Sequence, residues 1–221
     1  MIRQLTFDLP ARTAWRREDF FVSPANAVAL AALDDWRNWP GGKMVLCGPK
    51  GSGKTHLARL WAAETGAAVL PATALAEADL PSLSALGAVA VEDADAAAGD
   101  GACEAAFFHL HNLVTQSGHL LVTAATPPRD WHLSLPDLAS RLQAATLARI
   151  EAPDDALLSA VLIKLFADRQ LAVPPALIPY MVQRMERSID AARDLVARLD
   201  ARSLAEGRAI TRVMAAEELG E

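Results

Sequence analysis

Eight consecutive residues, G-P-K-G-S-G-K-T at positions 48–55, are of the types needed to hold a polyphosphate. Gly48 and Gly53 let backbone N–H groups turn inward around a β-phosphate, and the helix that should follow adds the positive end of its dipole. Lys54 can reach the β and γ oxygens, and the Thr55 hydroxyl can hold Mg²⁺. The segment therefore predicts an ADP or ATP site, with Mg²⁺, formed by Pro49, Gly51, Ser52, Gly53, Lys54, Thr55 and His56. About forty residues on, the apolar V-A-V run ends in Glu92 and Asp93. A parallel strand would deliver these two acids beside the phosphate loop, Glu92 toward the metal and Asp93 toward the attacking water.

Both features need a strand before them and a helix or loop after them. Five short apolar runs supply the strands: K-M-V-L-C-G, A-A-V-L-P-A, A-V-A-V-E-D, H-L-L-V-T-A-A and T-L-A-R-I-E-A. Helical patterns separate them, which predicts an α/β fold with a parallel central sheet covered on both faces. Beyond Pro153 the pattern becomes purely helical. Asp154 and Asp155 can cap one helix, Pro174 and Pro175 open a second, and Ser188 starts a third. The predicted organisation is an N-terminal peptide and linker over residues 1–16, an α/β nucleotide-binding domain over 17–152 and a small all-helical lid over 153–221.

The chain has 221 residues, enough to bury a core without staples, and its two cysteines are too few for a disulfide framework. Neither a signal-peptide pattern nor an apolar window of about 18 residues is present, so a soluble, cytoplasmic protein is expected. The net charge of −6 disfavours a surface built wholly for nucleic acid. Residues 181–212 hold seven arginines, but five acids are interleaved at helical spacing, as on a solvated, salt-bridged helix face. His109, His111 and His119 lack the companion ligands of a metal site, and the first two are expected at a surface or boundary of their helix.

Further segments join the loop in a resemblance covering about residues 18–204: F-F-V-S-P-A-N near Phe20, V-E-D-A-D at Val91, L-L-V-T-A-A-T-P-P at Leu120 and L-P-D-L-A-S-R-L at Leu135. Together they resemble the AAA+ family related to the bacterial replication initiator DnaA and, within it, the shortened regulators of the Hda group. The resemblance implies an AAA+ phosphate-loop domain with a helical lid. It implies that Arg141, in S-R-L, is an arginine finger acting on a neighbouring subunit's nucleotide, and that Phe20, Phe21 and Val22 wall the base pocket. The N-terminal Q-L-T-F-D-L resembles the peptide by which such regulators dock on the DNA polymerase sliding clamp, with Gln4, Leu5, Phe7 and Leu9 as anchors. Phe7 replaces an aliphatic residue there, and Asp8 a proline.

Three positions depart from the family pattern. Glu92 stands where the initiator has Asp, Ala125 falls where a polar sensor residue is expected, and Asp190 takes the place of an arginine at the start of a lid helix. Arg193, one turn later, or Arg187 could reach the same phosphate. With the sequence ending at Glu221, a DNA-reading domain like the initiator's is not expected. The resemblance and its departures together imply a regulator with weak ATPase of its own, which docks on the clamp and stimulates ATP hydrolysis by the initiator. A helicase-loader-like ATPase on single-stranded DNA, or a small-molecule kinase, would share the phosphate loop; the clamp-type peptide and the acidic charge weigh against the first, and the second lacks an evident acceptor base.

Overall fold

The computed structural model describes residues 20–220. Five parallel strands, β1 (Lys43–Cys47), β2 (Ala68–Pro71), β3 (Ala88–Glu92), β4 (His119–Ala124) and β5 (Thr146–Arg149), form one sheet in the order β2-β3-β4-β1-β5. All five predicted strands are present. Five α-helices precede or connect them: α1 (Ala27–Asp34), α2 (Lys54–Thr65), α3 (Leu80–Ala85), α4 (Gly101–Val114) and α5 (Pro136–Gln143).

Side-chain alternation along the strands explains why both faces are covered. Val45, Val89, Val91, Leu120 and Val122 face one way, into a core with Leu80 of α3, Phe107 and Leu110 of α4, and Leu138 and Leu142 of α5. Met44, Leu46, Ala88, Ala90, Leu121 and Ala148 face the other, against Leu30 and Leu33 of α1 and Leu57 and Trp61 of α2. Each large side chain so buried is worth about 1.5–3 kcal/mol relative to exposure. The small Ala88, Ala90 and Ala148 on the second face leave room for the stacked Trp39 and Trp61 rings, 5.5 Å apart.

After β5 the chain is helical: α6 (Asp155–Asp168), α7 (Leu177–Val182), α8 (Ile189–Glu206) and α9 (Arg212–Leu219). Asp154 caps α6 by accepting from the Leu157 N–H at 2.7 Å, and Ser188 caps α8 through the Ala191 N–H at 3.2 Å. These helices share a separate apolar cluster that includes Leu158, Leu162, Phe166, Leu195, Leu199 and Met214. Three of them are expected from the sequence. The fourth, α9, is started by Thr211, which accepts from the Met214 N–H, and Met214 and Ala215 complete the cluster.

Arginines of residues 181–212 pair as helical spacing requires, Arg193 with Asp190 and Arg202 with Glu206, while Arg198 reaches Glu218 on α9. Among the described residues no helix is long and apolar enough to cross a membrane.

Candidate nucleotide-binding site

The loop at residues 48–55 leaves the C-terminal end of β1, which lies between β4 and the edge strand β5, and runs directly into α2. Its glycines are required by geometry. Gly51 and Gly53 have φ of +71° and +105°, and a Cβ on Gly48 would lie 2.3 Å from the Ile150 carbonyl oxygen. No side chain caps α2, whose N-cap is Gly53, whereas Asp100, Asp154 and Ser188 cap α4, α6 and α8. The uncapped N–H groups of α2 are therefore available to an anion.

Lys54 is buried and donates to the carbonyl oxygens of Gly48 (2.8 Å) and Pro49 (2.9 Å). Burial lowers its pKa, and the carboxylates of Asp93, Asp95 and Asp190 oppose that shift. The Ser52 hydroxyl is buried without a hydrogen-bond partner among the described residues.

A cavity of about 630 Å³ opens over the loop. Its lining brings together Gly51, Gly53, Lys54, Thr55 and His56 from the loop and α2, Asp93 from the end of β3, and Arg193 from α8, all expected there. Between the two lid arginines that could serve, the fold selects Arg193. Arg187 is turned away, bonded to Asp155 at 2.6 Å and to the Pro153 carbonyl oxygen at 3.2 Å.

Lys50, Asp95 and Asp190 also line the cavity. Asp95 is not expected from the sequence, although it stands two residues after the acid pair. Its carboxylate accepts the Ala125 N–H at 3.1 Å, so the position expected to carry a polar sensor side chain contributes its backbone instead. Thr123, the nearest hydroxyl upstream, is buried and accepts the Asp93 N–H at 3.2 Å, holding Asp93 at a φ of +51° that few non-glycine residues adopt.

Other expected residues sit differently. Glu92 does not line the cavity; one of its carboxylate oxygens is buried with no hydrogen-bond partner among the described residues. Phe21 and Val22 are 45% and 52% exposed and lie outside the lining, because Ser23 and Asn26 fold their segment into a capped turn over α1. Phe20, expected with them, is also outside the lining, but its ring lies 5.4 Å from that of His56, which is part of it. Gln4, Leu5, Phe7 and Leu9 lie outside the described residues.

For Mg²⁺ the donor set is of the right kind. Among the described residues no three His, Cys, Asp or Glu side chains gather as a cage, and Mg²⁺ in phosphate sites relies on one or two protein oxygens with phosphate and water. Thr55 and Asp93, both on the cavity lining, meet that requirement, whereas the buried Glu92 oxygen expected to hold the metal lies outside it.

The lid meets the loop directly. The Ile189 N–H donates to the Gly51 carbonyl oxygen at 2.7 Å, and a Cβ on Gly51 would lie 1.9 Å from the Ser188 hydroxyl. Phosphate loop, strand-end acids and lid arginine thus surround one volume, at the strands' C-terminal ends where open α/β sheets bind ligands.

This fold is an AAA+ fold. Domain III of the Thermotoga maritima replication initiation protein DnaA superposes with a TM-score of 0.79 at 18% identity, over 96% of this chain and 98% of that one. AMPPCP-bound DnaA from Aquifex aeolicus gives 0.69 at 16% identity, over 86% of this chain and 66% of its own longer one. The FIGL-1 AAA domain in complex with ADP gives 0.67 at 15%, over 88% and 78%. No protein-family model matches the sequence.

Arg141 lies elsewhere. It sits in the last turn of α5, exposed, with its guanidinium carbon 5.1 Å from the centre of the Phe108 ring of α4. Its charge is felt at Lys43, the first residue of β1, whereas the phosphate loop follows the last. A five-residue strand separates them by roughly 13 Å. Arg141 therefore does not reach its own chain's cavity, and among the described residues no carboxylate pairs with it.

Glu104 fixes that helix. Its carboxylate, 1% exposed, accepts the N–H groups of Gly99 (2.9 Å), Ser134 (3.0 Å) and Leu135 (2.8 Å), tying the start of α4 to the start of α5. Burial works to raise its pKa, but the bonds from Ser134, Gly99 and Leu135 outweigh it and hold the group ionised below the ordinary glutamate value. No local pattern in the sequence marks this residue.

Burial also corrects the reading of His111. It is 1% exposed rather than at the boundary, while His109 on the same helix is exposed.

Proposed function

We propose that this chain is a DnaA-related AAA+ regulator of replication initiation, of the Hda type, whose own nucleotide is an anchor. ADP or ATP is held over the loop at residues 48–55, with the Thr55 hydroxyl and the Asp93 carboxylate to hold Mg²⁺, which neutralises phosphate charge when bound. Gly51 bonds to Ile189 beside the phosphates, so a nucleotide there fixes the angle between sheet domain and lid. Intrinsic hydrolysis is weak, because a backbone N–H replaces the sensor side chain at Ala125 and Asp190 neutralises Arg193 through a 3.1 Å contact.

Arg141 acts in trans, on ATP carried by the initiator. A planar, permanently charged guanidinium can bridge the transferring phosphoryl oxygens, typically worth about 10³–10⁵ in rate. The observation that carries this reading is the position of Arg141: exposed, without a carboxylate partner among the described residues, and at the sheet end opposite its own cavity. Docking through Gln4, Leu5, Phe7 and Leu9 on the sliding clamp would confine the reaction to DNA being copied.

Initiator ATP hydrolysis on clamp-loaded DNA tests both parts. Arg141→Ala and Gln4→Ala should each abolish the stimulation there. Gln4→Ala should retain what the chain achieves at high concentration without the clamp. Full activity of Arg141→Ala removes the finger role, and full activity of Gln4→Ala removes the docking role.

A further inference from the structure

Beside Arg141 stands a second cation. Lys43 is half-buried, and its ammonium donates to Nε2 of His111 at 3.1 Å. An ammonium has no acceptor to offer, so Nε2 must carry the lone pair and the ring proton sits on Nδ1, which faces the Asn112 side-chain oxygen at 3.4 Å. His111 is thus a neutral, buried acceptor fixed in one tautomer. Burial, Lys43 and Arg141 lower its pKa to about 4, and only Asn112 pulls the other way, so it stays neutral at physiological pH.

This arrangement is unusual for a lysine. A carboxylate at the same place would cancel the charge; an imidazole orients the ammonium and leaves the charge whole. Arg141 is treated alike. Phe108, one helical turn before His111 on α4, holds its guanidinium by a ring face and not by an acid. One helix therefore supports two cations through two uncharged side chains, and neither cation has a carboxylate partner among the described residues. The two repel, with Arg141 lowering the Lys43 pKa after burial does. Such a pair is stabilised when a polyanion is placed between its members.

We propose that Lys43, oriented by His111, is a second trans-acting cation that meets, together with Arg141, the polyphosphate of the nucleotide carried by the neighbouring chain. The inference rests on the finger reading of Arg141. The ammonium supplies a compact point charge beside the bidentate guanidinium, so that two sets of donors share the negative charge of the transferring group.

Single-turnover hydrolysis of ATP preloaded on the initiator, titrated with the ADP-bound chain, tests it. Lys43→Met keeps the stem and removes the charge. It should lower the maximal rate about tenfold while the half-saturating concentration stays within about twofold. Lys43→Arg should restore most of the rate, and ADP affinity of both variants should equal the parent's, since Lys43 is at the far end of β1 from the phosphate loop.

If Lys43→Met keeps the full maximal rate while Arg141→Ala loses it, the inference is wrong and the finger reading stands. If Arg141→Ala itself keeps the rate, both fail. If Lys43→Met changes only the half-saturating concentration, Lys43 docks on a partner's carboxylate and the inference is likewise overturned.

Discussion

The two ends of the sheet treat positive charge in opposite ways. At the C-terminal end every cation of the cavity for which a contact is seen has a local counterweight: Lys54 bonds two carbonyl oxygens and feels Asp93, Asp95 and Asp190, and Arg193 pairs with Asp190. At the N-terminal end Lys43 and Arg141 are held by His111 and Phe108, which carry no charge to offset them. A self-compensated site can hold a ligand without driving chemistry on it. An uncompensated pair on the surface stores an attraction for an anion that arrives on another molecule. In the function proposed above, this difference separates anchoring from catalysis within one small sheet.

Changes at either end can break or sharpen this contrast. The largest effect on stability is expected at Glu104, which ties together the starts of α4 and α5, the helices that carry Phe108, His111 and Arg141. Glu104→Ala removes the acceptor of three part-buried backbone N–H groups and should cost about 2 kcal/mol in denaturant unfolding. Loss of hydrolysis stimulation in the surviving folded protein, with ADP affinity retained, would tie Glu104 to the Arg141 end alone.

Lys54→Ala should weaken ADP binding about 100-fold, an amount near 2.7 kcal/mol, in a fluorescent-nucleotide titration. Arg141→Ala in the same titration should match the parent. Equal losses in both variants would mean that the two ends are not separate sites.

A smaller effect should come from pH. His111 titrates near 4 when folded, below its ordinary 6.5, first because it is buried and then because of Lys43 and Arg141. The unfolded chain therefore binds a proton more readily between those values. The resulting stability is fully present above about pH 6.5 and is lost as pH falls toward 4, by at most about 2 kcal/mol once solvent screening is allowed for. Urea midpoints at pH 7 and 4.5 should show this slope in the parent, and His111→Gln should flatten it. An unchanged slope would place the titration elsewhere.

The two ends also differ in how plainly the sequence announces them. The phosphate loop is legible because its chemistry is confined to eight adjacent residues, and the strands because each is an unbroken apolar run between turns. Arg193 and Asp95 need more. Which lid arginine enters the cavity depends on the phase of α8 and on Arg187 being captured by Asp155. Asp95 acquires its role from a strand 30 residues away. Glu104 and His111 are the least legible, since an acid or a histidine on an amphipathic helix looks alike whether it faces water or, as these two do, is itself buried against partners from distant segments. Family position puts Phe20, Phe21 and Val22 together at the base pocket, but it cannot foresee the capped turn at Ser23 and Asn26, which leaves Phe21 and Val22 exposed and only Phe20 against His56.

The claim that one end anchors and the other catalyses is tested most directly by asking whose nucleotide is cleaved. The chain and the initiator would each be loaded with ATP carrying a different γ-phosphate label, mixed on clamp-loaded DNA and quenched within one turnover. Phosphate is expected from the initiator's label only, and its release should fall by about 10³ with Arg141→Ala. Phosphate released first from this chain's own label, or undiminished release with Arg141→Ala, would contradict the claim.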